Sequence, residues 1–302
     1  MLQRRVLFTP ADLLTSAFAL VLVAAGILRL GAVSDPLSIL LVAAAGLLPL
    51  GVARIRAGAP ASVAARVALD FSMIASLLVI FDNLGPLIRA VNPVDRDAWL
   101  IASDRWIFGT DPTRALEALA TPFLSDVLTV CYALYYFHPI VLAGLLWADD
   151  WRESRSGLAR EFPRFAFTIL AVFYVSYAGY FAVPAIGPRY TIRHDAPLPR
   201  GAVSRTIDST LDRLEANKRN CFPSGHTMVT VAVLIEGARR SRRTFLGFLP
   251  FAVGLLAATV YCRFHYVTDV LAGLVLVAVT VPLARSAYAR VAAAGTSLQT
   301  SR

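Results

Sequence analysis

Long apolar runs constrain this chain more than any other feature, because about eight of them recur and approach the length that crosses a lipid bilayer. Apolar residue types make up 57% of the 302 residues and charged types only 16%, unlike a soluble domain of this size. We therefore predict an all-α polytopic membrane protein with about eight transmembrane helices. The predicted spans are residues 12–32, 37–53, 67–88, 121–147, 165–184, 223–238, 244–262 and 266–286.

The basic residues indicate how the chain is oriented in the membrane. A net charge of +9 is compatible with nucleic-acid binding, but most basic residues lie in short loops between apolar runs, so we predict no nucleic-acid partner. The arginine clusters share one side of the predicted topology, which the positive-inside rule makes cytoplasmic together with both termini. These clusters are Arg4 and Arg5; Arg54, Arg56 and Arg66; Arg152, Arg155, Arg160 and Arg164; and Arg239, Arg240, Arg242 and Arg243.

Two longer loops, residues 89–120 and 185–222, fall on the opposite side, where we expect functional residues. In the first loop, apolar and charged residues alternate, which predicts an amphipathic helix near residues 95–115 that lies in the membrane interface. Trp99 and Trp106 in this segment suit the level of the lipid headgroups.

The apolar pattern also suggests a division of the chain into three parts. Residues 1–60 are predicted to form an N-terminal transmembrane hairpin that carries no obvious chemistry. Residues 61–290 would form the main membrane domain, and residues 291–302 a cytoplasmic tail. The polar residues with chemical potential therefore all belong to the middle part.

Three polar segments lie at the non-cytoplasmic ends of predicted spans. One of them is CFPSGH, Cys221 to His226. Pro223 suits the first turn of a helix, where its missing N–H costs nothing. Ser224 and Gly225 would then lie among the unpaired N–H groups of that turn, which favour anions. His226 is placed to protonate a leaving oxygen.

The other two segments are GPRY, which contains Arg189, and RFHYVTD, which begins at Arg263. His265 and Asp269 are four residues apart and would share one face of a helix. Asp269 could accept the Nδ1 proton of His265, which leaves Nε2 as a nucleophile towards phosphorus. Arg189, Arg263 and Lys218 could neutralise the phosphate charge. A structural helix cap at the His–Asp pair and simple headgroup contacts of the arginines are the alternatives.

The remaining cysteines and histidines predict no metal site and no other cofactor, because no CxxC pattern or metal-ligand spacing occurs. Cys221 and Cys262 flank two of the segments, either as neighbours or as two inert buried thiols. His138 is interpreted as structural and His194 as peripheral.

These motifs resemble those of the type 2 phosphatidic acid phosphatase superfamily. PSGH is complete at residues 223–226, and His265 with Asp269 matches the end of the third motif. The resemblance implies a metal-independent, six-helix catalytic core within residues 61–290, to which the N-terminal hairpin is added. It also implies that His265 is the nucleophile, Asp269 its partner and His226 the acid–base group. Ser224 would donate a hydrogen bond to the phosphate.

The sequence departs from that family at two arginines. The first motif is reduced to GPRY, with Arg189 after the proline, and the usual arginine position of the third motif is Thr259, whereas Arg263 lies closer to the histidine. CFPSGH, the aromatic stretch at residues 132–139 and the segment DRWIFG resemble the branch of inositol phosphorylceramide synthase and its bacterial relatives. This resemblance extends over about residues 95–285.

Three functions are therefore considered. The first is a phosphotransferase that moves a phospho-headgroup, phosphoinositol in the resembling branch, from a phospholipid donor to a lipid alcohol. The second is a hydrolase that uses water to dephosphorylate a lipid phosphate or polyprenyl diphosphate. The third is a non-enzymatic transporter or scaffold, in which Asp70 or Asp126 would mark an ion path. Because Lys218 is the only lysine, we expect a GC-rich bacterial source. With the orientation that the arginine clusters predict, the protein would lie in the inner membrane with its site facing the periplasm or exterior.

Overall fold

The computed structural model describes residues 8–58, 62–153, 160–214 and 217–300, and these residues form helices, turns and loops without a strand. The prediction of an all-helical fold is confirmed. The helices are α1 (Pro10–Leu28), α2 (Leu37–Ala57), α3 (Val63–Asp70), α4 (Met73–Asp82), α5 (Leu84–Val91), α6 (Asp97–Phe108), α7 (Pro112–Ala115), α8 (Pro122–Ala133), α9 (His138–Arg152), α10 (Glu161–Ala182), α11 (Pro188–Thr191), α12 (Ala202–Leu214), α13 (Gly225–Arg240), α14 (Arg242–Tyr261) and α15 (Val267–Thr300).

Within the described ranges, six helical segments are long and apolar enough to cross a membrane, which makes the chain a multi-pass membrane protein. They are Pro10–Leu28, Leu37–Arg56, Val63–Asp82, Glu161–Ala182, Arg242–Tyr261 and Val267–Ala292. The pair Pro122–Tyr136 and His138–Arg152 adds a seventh if it forms one bent span. The predicted span 223–238 corresponds to α13, whose 16 residues are fewer than the roughly 20 that a span needs. The predicted number of about eight is therefore not confirmed.

The single predicted span at residues 121–147 is interrupted because Pro139 lies in the first turn of α9. Proline lacks a backbone N–H, and its ring would clash with the carbonyl of the residue four positions earlier in a continuous helix. The segment therefore consists of α8, a 3-10 turn at Leu134–Tyr136 and α9. This interruption places Tyr135 and Tyr136 in a bend rather than along a straight helix.

The chain divides into two compact units, one of residues 1–91, 143–174 and 281–302 and the other of residues 92–142 and 175–280. In the first unit, Asp12 pairs with Arg56 at 2.9 Å, and Asp70 lies 3.7 Å from Arg56 and 3.2 Å from Arg160. Trp147 Nε1 also donates to Asp70 at 2.9 Å. Because these partners neutralise the Asp70 carboxylate and donate hydrogen bonds to it, Asp70 can be buried. Its role is structural, since it pairs the ends of helices.

The second unit contains the three polar segments identified in the sequence. Its helix α6 corresponds to the predicted amphipathic helix, and two of its carboxylates are buried in the protein. Asp97 and Asp104 are buried, whereas Trp106 is 87% exposed and Trp99 is 53% exposed. Gly109 ends the helix with a φ of +72°, a left-handed conformation that glycine adopts readily. The carboxylates of α6 therefore point into the protein, and its aromatic rings suit the membrane interface.

Candidate active site

His265 lies in the turn between α14 and α15, and Asp269 is the third residue of α15. The expectation that both share a helical face is therefore wrong. Arg263 opens the turn with a φ of +66°, and the Thr259 carbonyl accepts hydrogen bonds from Phe264 N at 3.0 Å and His265 N at 2.9 Å. Thr259, at the position of the family arginine, thus orders the backbone of this turn.

The turn still brings His265 and Asp269 into contact. His265 Nδ1 lies 3.1 Å from Asp269 Oδ2 and 3.1 Å from the Cys221 carbonyl, and both side chains are buried. With a carboxylate and a carbonyl as neighbours, Nδ1 carries the proton and donates it to them. Nε2 is then the nitrogen with an available lone pair, as the proposed nucleophile requires.

Cys221 joins this pair, because its thiol donates to Asp269 Oδ2 at 2.8 Å. Burial, with the Asp269 charge as a further cause, raises the pKa of Cys221 well above its usual value, so it remains a protonated donor at neutral pH. Cys221 and Cys262 are both buried free thiols. Cys221 Sγ, His265 Nδ1 and an Asp269 oxygen lie within 4.8 Å of one another, which is a donor set that could hold a metal ion. The same contacts also arise without a metal ion, because the Cys221 thiol and His265 Nδ1 each donate a hydrogen bond to Asp269.

The PSGH segment begins α13, with Ser224 as the N-cap residue. The expected place of Pro223 in the first turn is wrong, since Pro223 precedes the cap and follows a cis peptide bond. Ser224 Oγ accepts from Thr227 N at 3.3 Å and from Thr227 Oγ1 at 3.0 Å. A Cβ atom at Gly225 would lie 2.5 Å from the Tyr180 hydroxyl, so glycine permits the close approach of α10.

His226 contacts the predicted nucleophile directly, with Nδ1 3.1 Å from His265 Nε2. Its ring lies 4.5 Å from Tyr132 and 4.3 Å from Tyr135, measured between centroids. Tyr132 also stacks on Phe264 at 4.4 Å. We call Tyr135, His226, Tyr132 and Phe264 the aromatic column. The tyrosines belong to the aromatic stretch at residues 132–139, whose spacing in the sequence does not reveal which ring they contact.

A cleft of about 420 Å³, its open mouth included, brings the predicted residues together. Five of the eight predicted site residues line it, while Ser224, Gly225 and Asp269 do not belong to its lining. The lining residues are Tyr132, Ile186, Arg189, Tyr190, Lys218, Asn220, His226, Arg263, Phe264 and His265. The cleft therefore combines two histidines with three cations, as a site for a phosphate group would.

The three cations of the cleft differ in their surroundings. The Arg189 guanidinium lies 5.5 Å from the Phe264 ring centroid, and Lys218 is exposed. Arg263 Nη2 donates to the Ala196 carbonyl at 3.0 Å and lies 3.6 Å from Glu117 Oε1. Burial lowers the pKa of Arg263, although Glu117 counteracts this effect. Arg263 thus fastens the outer loop as well as contributing charge.

The other two histidines lie elsewhere. His138 packs edge-on against Phe248 with centroids 5.6 Å apart. His194 Nε2 lies 3.1 Å from Thr113 Oγ1. Neither histidine lines the cleft, which agrees with their interpretation as structural and peripheral residues.

Comparison with known proteins places this site in a family. Searches of curated proteins and of solved structures find no match. A family model described as the PAP2 superfamily matches residues 98–283, which is more than half of the chain and includes every residue of the cleft. This superfamily consists of phosphatase- and phosphotransferase-type enzymes that act on lipids. The chain belongs to the PAP2 superfamily.

Proposed function

We propose that this enzyme transfers a phospho-headgroup from one lipid to the hydroxyl of another through a phosphohistidine on His265. The observation that carries the proposal is the contact of His265 Nδ1 with Asp269 Oδ2, which directs Nε2 towards the cleft. Arg189 and Lys218 supply positive charge beside it. Phosphoinositol, the headgroup of the resembling branch, is the specific donor headgroup that we propose.

In the first half-reaction, His265 Nε2 attacks the phosphorus of the donor lipid and an N–P bond forms. The P–O bond to the diacylglycerol oxygen breaks, and His226 gives that oxygen a proton. Asp269 stabilises the positive charge on His265 as the bond forms. Cations beside the nucleophile offset the charge that develops on the phosphoryl oxygens. All of these groups are side chains of the chain itself, so we propose a metal-independent reaction.

His226 must move before this attack, because its Nδ1 lies only 3.1 Å from His265 Nε2. A phosphorus atom bonded to Nε2 would need the space that His226 Nδ1 occupies. The ring stacks on Tyr132 and is tilted by 43° against Tyr135, and neither contact is a hydrogen bond that would hold the ring in place within the aromatic column. A displaced His226 that carries protons on both ring nitrogens would then face the leaving oxygen with its Nδ1–H, and it would become neutral imidazole as it gives up that proton.

In the second half-reaction, an acceptor hydroxyl attacks the phosphohistidine, His226 removes its proton and the N–P bond breaks. Tyr132, Phe264 and Ile186 give the cleft an apolar wall, which favours a lipid alcohol as acceptor. Hydrolysis of a lipid phosphate or polyprenyl diphosphate is the second candidate, and the exposed Lys218 at the cleft supports access of water. The two reactions share the first step and differ in the acceptor.

The proposed location is a bacterial inner membrane, with the active site on the periplasmic or exterior side and both termini in the cytoplasm. The arginine clusters in short loops support this orientation under the positive-inside rule. The donor and acceptor lipids would then come from the outer leaflet.

The acceptor can be identified with purified enzyme in lipid nanodiscs that contain phosphatidylinositol labelled with ³²P in its headgroup phosphate. Ceramide, a lipid alcohol that differs from the diacylglycerol released by the donor, is included in one sample and omitted from its pair, and His265→Ala provides the background. We expect label in a new lipid only when the lipid alcohol is present. Release of water-soluble labelled inositol phosphate with no transferred lipid product would reject transfer in favour of hydrolysis.

A further inference from the structure

Helix α6 carries two buried carboxylates on one face. Asp97 and Asp104 are seven residues apart, which corresponds to two helical turns, and they are 5% and 2% exposed. Neither forms an ion pair with a residue that the structure describes. Burying a carboxylate without a cation is costly unless hydrogen bonds satisfy it, so the partners of these two residues show what the helix holds.

Asp97 binds the segment that carries Arg189. Its carboxylate accepts from Gly187 N at 2.8 Å and from Ile186 N at 3.1 Å. Gly187 has a φ of +93°, and a Cβ there would lie 2.6 Å from the Phe264 carbonyl, so this backbone is both unusual and tightly enclosed. Asp97 therefore fixes the point from which the Arg189 helix, α11, begins.

Asp97 also accepts from the hydroxyl of Tyr266 at 2.9 Å. Burial raises the pKa of Tyr266, so the phenol stays protonated and continues to donate. Tyr266 directly follows His265 in the chain, and its hydroxyl also lies 2.5 Å from Thr191 Oγ1 in α11. The same carboxylate thus joins the Arg189 segment to the residue beside the nucleophile.

Asp104 binds the first turn of α15. It accepts from Val267 N at 2.9 Å, from Thr268 N at 2.7 Å and from Thr268 Oγ1 at 2.6 Å. These N–H groups have no partner inside the helix, and the positive end of the helix dipole favours a carboxylate as the group that binds them. The capped turn lies between His265 and Asp269. Asp104 therefore holds the backbone that sets the position of the His265 ring relative to the Asp269 carboxylate.

We propose that Asp97 and Asp104 are positioning residues, and that α6 sets the geometry between the anion-binding Arg189 segment and the His265 nucleophile. This inference rests on the proposed function of His265. The two carboxylates differ in the backbone that they bind, because Asp97 accepts from Ile186 and Gly187 in the Arg189 segment and Asp104 accepts from the first turn of α15. Their loss should therefore affect the two kinetic constants to different extents. Asp97 governs the place of Arg189 and hence the binding of the phosphate group. Asp104 governs the His265 turn and hence the rate of attack.

The experiment compares Asp97→Asn and Asp104→Asn in the full-length enzyme in nanodiscs with the labelled phosphatidylinositol. An asparagine amide offers one acceptor oxygen and directs an N–H₂ group at the N–H donors that the carboxylate had satisfied. For Asp97→Asn we expect KM to rise about 10-fold or more with a smaller fall in kcat. For Asp104→Asn we expect kcat to fall about 10–100-fold, the range for a sub-ångström to ångström misplacement of reacting groups, with KM almost unchanged.

Asp111→Asn is the matched control, because Asp111 is equally buried but binds Arg105 of α6 itself, at 2.7 and 2.9 Å. It should leave both kinetic constants close to those of the unmodified enzyme. Asp104→Glu tests position against charge, since it keeps the carboxylate and displaces it by one methylene. If Asp104 acts by positioning, kcat should fall in Asp104→Glu too. The Asp104→Glu result remains decisive if Asp104→Asn does not fold.

Single-turnover trapping of phosphohistidine separates this inference from the proposed function. Labelling of His265 in the unmodified enzyme, with slower labelling in Asp104→Asn and Asp104→Glu, supports both. Labelling at unchanged rate in the two Asp104 variants overturns the positioning role while leaving the nucleophile in place. An unmodified enzyme that turns over without labelling at His265 overturns the proposed function, and the positioning role with it.

Discussion

Replacing His265 with alanine is expected to lower turnover by about 10⁴-fold or more, because the variant has no nitrogen that can form the phosphoenzyme. The protein should still fold, since the hydrogen bond from the Cys221 thiol to Asp269 does not depend on His265. The measurement is kcat for headgroup transfer at saturating donor, with the thermal unfolding midpoint recorded on the same sample.

His194→Ala is the control for the loss of a histidine ring. His194 binds Thr113 in the outer loop and does not line the cleft, so we expect activity close to that of the unmodified enzyme. Activity of His265→Ala within a few-fold of the original would contradict the mechanism. It would favour the third function considered from the sequence, a transporter or scaffold that does not use this histidine for chemistry.

Asp269→Asn should be nearly as damaging, with a loss of about 10³–10⁴-fold in kcat, as for the analogous change in a serine protease triad. The amide could present its NH₂ group to His265 Nδ1, which would move the imidazole proton to Nε2 and remove the nucleophilic lone pair. The Asn side chain has almost the same shape, so the His265 ring should stay in place. Rapid-quench measurement of phosphoenzyme formation reports this step directly.

Asp195→Asn provides the comparison for loss of a carboxylate at this side of the protein. Asp195 is exposed and pairs with Arg114, so its replacement should change stability and activity little. A rate of phosphoenzyme formation in Asp269→Asn equal to that in Asp195→Asn would show that the carboxylate does not direct the His265 proton.

The sequence was sufficient to predict an all-helical membrane protein and to identify His226, His265 and Asp269 as one group. Apolar runs of bilayer length and short polar motifs are local signals, and the motifs also resemble a family that the match to residues 98–283 supports. The histidine–aspartate contact was correctly expected, although for a different reason. It forms across a turn and the start of α15 rather than along one helix.

Features that depend on packing could not be read from the sequence. Hydropathy does not distinguish an interfacial helix with outward charges from α6, where Asp97 and Asp104 face inward to backbone N–H groups. Nor does it reveal that Ser224 caps α13 and does not belong to the cleft lining. The approach of Tyr132 to His226 joins two helices far apart in the chain and has no local signature.

Trapping the intermediate tests the central claim most directly. The enzyme is mixed with phosphatidylinositol labelled in its headgroup phosphate, quenched at alkaline pH to preserve phosphoramidate bonds, digested and sequenced by mass spectrometry. The account predicts a phospho-headgroup adduct on His265 that forms faster than product and is absent from His265→Ala. Turnover by the unmodified enzyme with no adduct on His265, or with the adduct on another residue, would contradict it.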